Sequence, residues 1–358
     1  MDLGLFLDIL HIPSTSGEER KLAEFLAERL PGSVEGHPEK AACQVLSFEV
    51  GDGTRNLLFD WSGTGKPAFV FCTHLDTVPP YIPPTVLDVH AGSVLPDGTL
   101  AEGDDQVILG RGSCDAKGQI FAMYTACREL EALNFRNFGL LLLAGEETGS
   151  LGAKAWTRDC PGGDFVLVGE PTDNSLVTAA KGTKSFAVTI HGTPCHSGYP
   201  EHGVSAVAKF VDFMNLLDAV DFPEDPVLGS TTWNVGMLRS DNPQNVLSPE
   251  VSFRLYFRTT FASDSRILQA LEGICPEGTV VDALGGDDPM TYFSEVEGIP
   301  RRPVAFGSDA PRLTNFTRRA ICGPGSILTA HTDREYVLRS ELEKAVDQYI
   351  RIFKELNK

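Results

Sequence analysis

This sequence has no apolar run that approaches the roughly 20 residues needed to cross a bilayer. Its start, MDLGLFLDILH, also lacks the basic segment that opens a secretory signal. Basic residues are scarce, because 30 Lys and Arg face 49 Asp and Glu, for a formal net charge of −19. Such a deficit argues against a surface for nucleic acid or for an anionic membrane. We therefore expect a cytosolic protein that acts on a small molecule and binds neither nucleic acid nor membrane.

The eight cysteines lack any C-x-x-C spacing. Most lie inside apolar runs or beside polar motifs, which favours reduced, buried thiols over disulfides or a cysteine-rich zinc site. What the sequence does supply is length, since 358 residues suit about two domains with a sizeable core.

Three apolar runs typical of buried strands each end in a histidine or a glutamate. These ends are His74-Leu75-Asp76, Glu146-Glu147 and Glu170. Ligands of open α/β sheets bind at the carboxyl ends of the strands, so we expect these side chains at one edge. Alternation points His74 and Asp76 to the same side, which suits a metal-binding imidazole held by a carboxylate. For His74 alone, a histidine with ordinary hydrogen bonds in a loop is the alternative.

Two further candidate ligands lie in glycine-rich segments. Asp115 lies within GRGSCDAKG at the entry to a predicted helix, where flanking glycines allow a tight backbone that aims the carboxylate. A plain helix cap is the alternative for Asp115. His331 follows the segment GPGSILTA. Two histidines and three carboxylates can fill two cation sites if one carboxylate bridges, and such ligands suit zinc, manganese or cobalt.

The pattern changes beyond about Val177, where strands and amphipathic helices follow in the order β-α-β-β-α-β. This order predicts a compact, ferredoxin-like α+β unit. We predict that residues 177–286 form an inserted domain and that residues 1–176 and 287–358 form one discontinuous catalytic domain. The predicted class is α/β with a mixed sheet.

Two connections are predicted within the catalytic domain. Gly51-Asp52-Gly53 has the composition of a hairpin turn. Pro79–Asp105 is rich in Pro, Gly and Asp with little periodicity, and it follows the His74 motif directly. We predict a long loop there, at the mouth of the site.

Taken together, these motifs resemble the M20 family of metallopeptidases and deacylases, which includes acetylornithine deacetylase, succinyl-diaminopimelate desuccinylase, aminoacylase and glutamate carboxypeptidase. The resemblance covers nearly the whole chain, through HLDTVP, GRGSCDAKG, GEETGS, GEPT, GTPCHSG, NVLSPE and GPGSILTAHTDRE. It implies a di-zinc exopeptidase-like catalytic domain, with the inserted domain acting as a lid and as the contact surface of a homodimer.

The resemblance also implies roles for the residues of the catalytic domain. The implied ligands are His74 and Glu170 for one zinc ion, Glu147 and His331 for the other, and Asp115 as the bridge. Asp76 would orient His74, and Glu146 would be the general base. The peptide bond between Asp115 and Ala116 would be cis.

Further residues would act on the substrate. His196 matches a histidine that, in dimeric members, reaches the partner's active site and stabilises the oxyanion. Asn245 and Arg258 match positions that hold a substrate carboxylate. Ser308 lies in a segment that resembles one lining the same pocket.

The implied reaction is hydrolysis of an N-acyl amino acid with a free carboxylate, of the deacetylase or desuccinylase type. Two zinc ions would activate the water, with cobalt or manganese as alternatives to zinc. A dipeptidase or carboxypeptidase with the same residues is the alternative reaction. A non-catalytic binding module is the remote one, since it would be expected to lose the base or a ligand and neither is lost.

One segment departs from the family pattern. After Pro79 this chain continues Pro80-Tyr81-Ile82-Pro83-Pro84, where many members have a Gly-Asp and Trp-containing segment. The resemblance therefore implies metal-dependent hydrolysis for this chain, but it leaves the identity of the substrate open.

Overall fold

A computed structural model describes residues 1–34, 37–51 and 53–357 of the chain. The chain forms two compact units. The first contains Met1–Thr178, Tyr292–Arg302 and Ser308–Lys358. The second contains Ala179–Thr291 and Pro303–Gly307.

The first unit begins with helices and then alternates strands with helices. Its elements up to the second unit are α1 (Gly4–Leu10), α2 (Arg20–Arg29), β1 (Ser33–Val34), β2 (His37–Ala41), β3 (Gln44–Gly51), β4 (Thr54–Asp60), β5 (Phe69–His74), β6 (Thr85–Val89), β7 (Asp105–Leu109), α3 (Lys117–Ala132), β8 (Phe138–Leu143), α4 (Leu151–Asp159), β9 (Phe165–Val168) and β10 (Leu176–Ala180), which enters the second unit. β3 and β4 pair antiparallel. The predicted hairpin residue Asp52 lies outside the described residues.

The second unit contains β11 (Gly182–His191), α5 (Ala206–Asp218), β12 (Thr232–Arg239), β13 (Glu250–Thr259), α6 (Ile267–Ile274), β14 (Thr279–Gly285) and β15 (Met290–Thr291). The chain then continues through β16 (Arg301–Val304), β17 (Arg318–Ile321), β18 (Tyr336–Leu338) and α7 (Arg339–Leu356).

A six-stranded mixed sheet in the order β17-β9-β5-β8-β4-β3 forms the centre of the first unit. The neighbours from β17 to β8 are parallel, and β4 pairs antiparallel with β8. Every residue of β5, β8 and β9 is buried, as their continuous apolar sequences predict for strands covered on both faces. Because these three strands are parallel, their carboxyl ends meet at one edge of the sheet.

Aromatic side chains link this sheet to its helices. Phe69 of β5 lies edge-on to Phe353 of α7 at 5.2 Å between ring centroids. Phe6 of α1 stacks on Phe121 of α3 at the same distance. All four belong to one continuous hydrophobic core. That core holds the edge with the polar strand ends rigidly, because close-packed interiors deform little.

The sheet of the second unit has the order β12-β13-β11-β14 with antiparallel neighbours throughout. Buried and more exposed residues alternate along β13, as expected for a sheet with one face in the core and one in solvent. The core face packs against α5 and α6, with Phe213 and Leu271 fully buried against residues such as Phe253.

The bounds of the second unit differ from the prediction of 177–286. Ala179 and Ala180 pair with Thr291 and Met290, and the Lys181 N–H donates to the Val304 carbonyl at 3.1 Å. These backbone bonds keep residues 287–291 and 303–307 with the second unit. The sequence of these two segments has no apolar alternation that would predict such short strand pairings.

The predicted loop over Pro79–Asp105 also needs correction. Within it, β6 pairs antiparallel with β7, and β7 pairs with β18. β6 is the edge of this small sheet and most of its side chains are exposed. An exposed edge strand needs no apolar alternation, so its sequence lacks the pattern that would predict a strand.

Within the part of the chain that the structure describes, every helix is too short or too polar to span a bilayer.

Candidate active site

The parallel strands deliver the predicted site residues to one edge of the central sheet. His74 is the last residue of β5, and β5 lies between β8 and β9. Glu146 and Glu147 follow β8, and Glu170 follows β9. His74 and Glu170 are almost completely buried, with 1% and 4% of their surface exposed.

Asp115 lies between two histidines. Its Oδ1 is 3.0 Å from His74 Nε2, and its Oδ2 is 3.2 Å from His331 Nε2. The same His331 nitrogen is 2.8 Å from Oε1 of Glu147. One carboxylate therefore serves both histidines, each through a different oxygen. The Asp115–Ala116 peptide bond is cis, as the family resemblance implies.

Two groups of candidate ligands share Asp115. In one, donor atoms of His74, Asp115 and Glu170 all lie within 4.8 Å of one another, and in the other the same holds for Asp115, Glu147 and His331. These are the two groups of residues that the family resemblance implies as metal ligands. A third group of His74, Glu146 and Glu147 meets the same distance limit, which puts Glu146 beside both positions.

The electrostatics of these residues fit a bound cation. Oε1 of Glu170 is buried and has no hydrogen-bond partner among the described residues, and burial raises the pKa of Glu170 well above its usual value. Hydrogen bonds with Asp115 and Glu147 raise the pKa of His331 to about 10. Burial by itself lowers the pKa of His74, but contacts with Asp115 and Asp76 raise it well above its usual range. The site thus stabilises positive charge at both histidines, and a bound cation would give the buried oxygen of Glu170 a partner and favour its ionised form.

The carboxylate of Asp76 mainly contacts the loop after β8, whereas the sequence interpretation expected it to contact His74. His74 Nδ1 forms its hydrogen bond with the backbone oxygen of Asp76 at 2.9 Å, while the carboxylate is 3.5 Å away. The carboxylate instead accepts the backbone N–H groups of Glu146 and Glu147 and the hydroxyl of Ser16. Asp76 therefore fixes the loop after β8 as well as the ring of His74.

Glu146 lies in an environment suited to proton transfer. Burial raises the pKa of Glu146 well above its usual value, and the nearby carboxylates of Asp309 and Glu147 add to the rise. A carboxyl group with a raised pKa can take up and release a proton near neutral pH, as a general base and acid must.

The loop that carries Asp115 packs closely on the helix that follows it. A Cβ added to Gly118, in the first turn of α3, would lie 2.1 Å from the carbonyl oxygen of Ser113. Only glycine fits there. This contact fixes the turn between β7 and α3 and hence the direction of Asp115.

The sequence interpretation gave no role of their own to four residues near the site, namely Ser16, Arg111, Asp309 and Glu335, although it named Asp309 within the segment Ser308-Asp309-Ala310. Asp309 is the neighbour of Ser308, and neither of its buried carboxylate oxygens has a hydrogen-bond partner among the described residues. Burial raises the pKa of Asp309 to about 7. Ser308 itself is buried and accepts the backbone N–H of Ala310 through its hydroxyl at 3.2 Å.

The other predicted substrate-binding residues belong to the second unit, where the structure separates them. The backbone N–H of Ser197, next to His196, donates to the carbonyl oxygen of Asn245 at 2.9 Å. The loops that contain His196 and Asn245 both lie at the end of the sheet where His191 of β11 pairs with Glu250 of β13. Arg258 lies near the other end of β13, and eight residues of extended strand span about 26 Å. Asn245 and Arg258 of one chain therefore do not converge, although the sequence interpretation gave them one task.

Residues 70–355 match the protein family described as Peptidase family M20/M25/M40. The chain belongs to this family. A probable carboxypeptidase of Aspergillus oryzae is 32% identical over 375 residues, covering 96% of this chain and 87% of the relative. A probable carboxypeptidase of Emericella nidulans is 31% identical over 389 residues, covering 97% of this chain and 87% of the relative.

Solved structures of M20 and related peptidases share the fold. The metallo-carboxypeptidase Sso-CP2 of Sulfolobus solfataricus, an M20 family member, superimposes with a TM-score of 0.70 at 16% identity, over 99% of both chains. The aminopeptidase PepT of Bacillus cereus gives a TM-score of 0.75 at 18% identity, over 99% of this chain and 98% of that structure. At such identities the likeness establishes a mixed α/β fold and not a substrate.

Membership of the M20 family makes this chain a metal-dependent hydrolase of the metallopeptidase type. The two groups of histidine and carboxylate side chains that include Asp115 fit this class, because imidazole and carboxylate are common zinc ligands.

Proposed function

We propose that this M20 enzyme hydrolyses the amide bond whose nitrogen belongs to an amino acid with a free carboxylate. The observation that carries the proposal is the position of Asp115 between His74 and His331, with Glu146 beside them. The acyl side of the bond divides the proposal into two substrate classes. Relatives named as probable carboxypeptidases, at about 30% identity, favour a peptidyl group. A small acyl group such as acetyl or succinyl is the other class, because the family that the motifs resemble includes deacetylases and desuccinylases.

Two divalent cations would bind at this site, held by His74 and Glu170 on one side, by Glu147 and His331 on the other, and by Asp115 between them. Zinc is the expected metal, and cobalt or manganese would suit the same ligands. When bound, such cations lower the pKa of water toward neutrality and polarise the amide carbonyl.

Glu146 would carry the proton. It would take one from the attacking water and deliver it to the nitrogen of the leaving amine, so that one residue acts as base and then as acid. The pKa of Glu146 is raised by burial, which supports this role because it makes the carboxylate a stronger base than an ordinary glutamate. Its backbone N–H is held by Asp76 at 2.9 Å, which fixes the loop from which its side chain acts.

Arg258 would bind the substrate carboxylate. Within the described residues, no carboxylate lies within ion-pairing distance of its guanidinium, which stacks over the ring of Tyr256 at 5.1 Å. A half-buried arginine without an acidic partner is suited to a ligand carboxylate. Ser308 is proposed to line the same pocket.

A homodimer would resolve the separation of Arg258 from His196 and Asn245. A small substrate cannot reach both ends of β13, so one of these groups would serve the site of a second copy. His196 is the better candidate for this role, since its side chain is exposed in a loop. Its Nδ1 accepts the backbone N–H of Gly198 at 3.1 Å, so the proposed contact with substrate falls to Nε2. Apolar side chains exposed on the edge strand β12, such as Met237 at 71%, and on α5, such as Val211 at 51%, support contact between copies.

A substrate panel tests the proposal. Zinc-loaded protein is assayed on peptides, dipeptides and N-acyl amino acids that share one C-terminal residue, each paired with its C-terminal amide. We expect cleavage of the free acids and loss of at least tenfold in kcat/KM for the amides. The ranking among free acids assigns the acyl class. A protein that binds two zinc ions and cleaves no member of the panel would contradict the proposal and favour a binding module.

A further inference from the structure

The buried ion pair between Arg111 and Glu335 lies outside the ligand set, and it contacts three of the segments that carry ligands. Glu335 Oε2 is 2.6 Å from Arg111 Nη1, and neither side chain is more than 3% exposed. A buried ion pair is weak evidence for stability, because desolvation of both charges offsets their attraction. Its position therefore suggests another role.

Three backbone N–H groups of the Asp115 loop converge on the other oxygen of Glu335. Gly112 donates at 2.9 Å, Asp115 at 3.1 Å and Cys114 at 3.3 Å, all to Oε1. Such a ring of N–H groups around one anion is a rigid arrangement. It fixes the backbone from which the Asp115 carboxylate projects.

The same pair also reaches the segments of the two histidines. Glu335 lies four residues after His331, on the segment that leads into β18. Arg111 donates through Nε to the carbonyl of Pro80 at 3.3 Å, and its own N–H donates to the carbonyl of Ile82 at 3.0 Å. Pro80 and Ile82 lie on the chain that follows His74. Hydrogen bonds of this pair thus connect the Asp115 loop to the segment after His74 and to the segment after His331.

We propose that Arg111 and Glu335 are positioning residues that hold Asp115 between His74 and His331 at the separation two cations require. The proposal rests on the proposed function, since it assumes that these residues are metal ligands. Groups that orient ligands typically change metal affinity by about 10–100-fold when they are removed. A pair with only a structural role would change stability and leave the affinity of the folded protein intact.

Glu335→Gln tests this directly, because the amide keeps the volume and one acceptor oxygen but loses the charge that pairs with Arg111. Glu131→Gln is the matched control. Glu131 is also a buried glutamate paired with an arginine, Arg128, at 3.1 Å. Its carboxylate also accepts from Trp61 Nε1 at 3.2 Å, and both partners lie outside the segments that carry the proposed metal ligands. Zinc affinities are measured by competition with a chromophoric chelator, after circular dichroism has established that each variant is folded.

We expect Glu335→Gln to weaken zinc binding by about 10–100-fold, and Glu131→Gln to stay within about twofold of the natural protein. In the cobalt-loaded forms, the visible absorption bands should shift for Glu335→Gln alone. If Glu335→Gln does not fold, Arg111→Lys provides the same comparison, because it keeps the positive charge and loses the forked contacts to Glu335 and Pro80.

Folded variants at position 335 or 111 with natural zinc affinity and natural cobalt spectra would overturn the proposal. Equal losses in Glu335→Gln and Glu131→Gln would also overturn it. These readouts do not depend on turnover. A natural protein that binds two zinc ions and hydrolyses no panel substrate would refute the proposed function and leave this inference standing, whereas one that binds no zinc would refute both.

Discussion

Asp76 accepts the backbone N–H of Glu146 through Oδ1 at 2.9 Å. Its second oxygen accepts the N–H of Glu147 at 3.1 Å and the hydroxyl of Ser16 at 2.8 Å. A single buried carboxylate therefore holds the backbone of the proposed base and of one proposed metal ligand. The two glutamates would depend on Asp76 for their positions.

Asp76→Asn should lower kcat by about 10–100-fold. The amide nitrogen cannot accept a hydrogen bond, so one buried N–H or hydroxyl loses its partner at a cost of about 1–3 kcal/mol. Asp97→Asn is a suitable control, because Asp97 accepts N–H and hydroxyl bonds from Thr99 in an exposed turn. Steady-state rates and zinc content check the prediction, and an unchanged kcat in the folded variant would contradict it.

Glu146→Ala and Glu147→Ala should have different effects on metal content. Loss of the proposed base should lower turnover by a factor on the order of 10² to 10⁴ while zinc stays bound. Loss of Glu147 should lower both zinc content and turnover, since its Oε1 is 2.8 Å from His331 Nε2 in the second ligand group. Elemental analysis beside kinetics distinguishes the two. The opposite pattern would mean that the roles of the two glutamates are reversed.

After a chelator has removed the metal, the free energy of unfolding should fall as the pH rises above neutral. The pKa of Asp309 is raised from 3.8 to about 7 by burial, so its ionisation lowers stability between those two pH values and is complete near neutral pH. The pKa of His331 is raised from 6.5 to about 10 by Asp115 and Glu147, so the stability it contributes is complete below 6.5 and lost toward pH 10. The fall in stability above neutral pH is therefore expected from His331.

Urea unfolding of the chelated and zinc-loaded forms at pH 6.5 and pH 9 measures this effect. The midpoint of the metal-free form should be lower at pH 9. Zinc at 100 times its Kd should add about 2.7 kcal/mol per site. A metal-free protein that gains stability between these pH values would show that the charges of the site are arranged differently.

Subunit mixing tests the proposed action of His196 in a second copy. Glu146→Ala and His196→Ala are prepared as separate inactive proteins and allowed to exchange subunits under mild denaturant. If His196 acts across the dimer, each mixed dimer has one site with both defects and one with neither, so activity returns to about half of the intact value per mixed dimer. Mixtures that exchange subunits, as mass spectrometry can establish, and stay inactive would exclude the shared site.

The sequence predicts the ligand-bearing strand ends well because their patterns are local. His74, Glu147 and Glu170 each lie at the end of an apolar run typical of a buried strand, and the carboxyl ends of parallel neighbours meet at one edge. The family motifs then add Asp115 and His331, which local patterns alone leave as a cap and a loop residue.

What the sequence could not predict depends on contacts between distant residues. Glu335 lies 220 residues from Asp115 in the chain, and nothing near it indicates that it would accept three N–H bonds from that loop. The separation of Asn245 from Arg258 has a different origin, because it follows from the length of β13, whereas their shared role came from the family resemblance. β6 was missed because an exposed edge strand carries no apolar alternation.

Anomalous diffraction at the zinc edge from crystals of the zinc-loaded protein tests the central claim most directly. We predict two zinc peaks, one within bonding distance of His74 and Glu170 and one within bonding distance of Glu147 and His331, with Asp115 coordinating both. A single peak, or two peaks of which Asp115 touches only one, would contradict the account of a shared two-cation site.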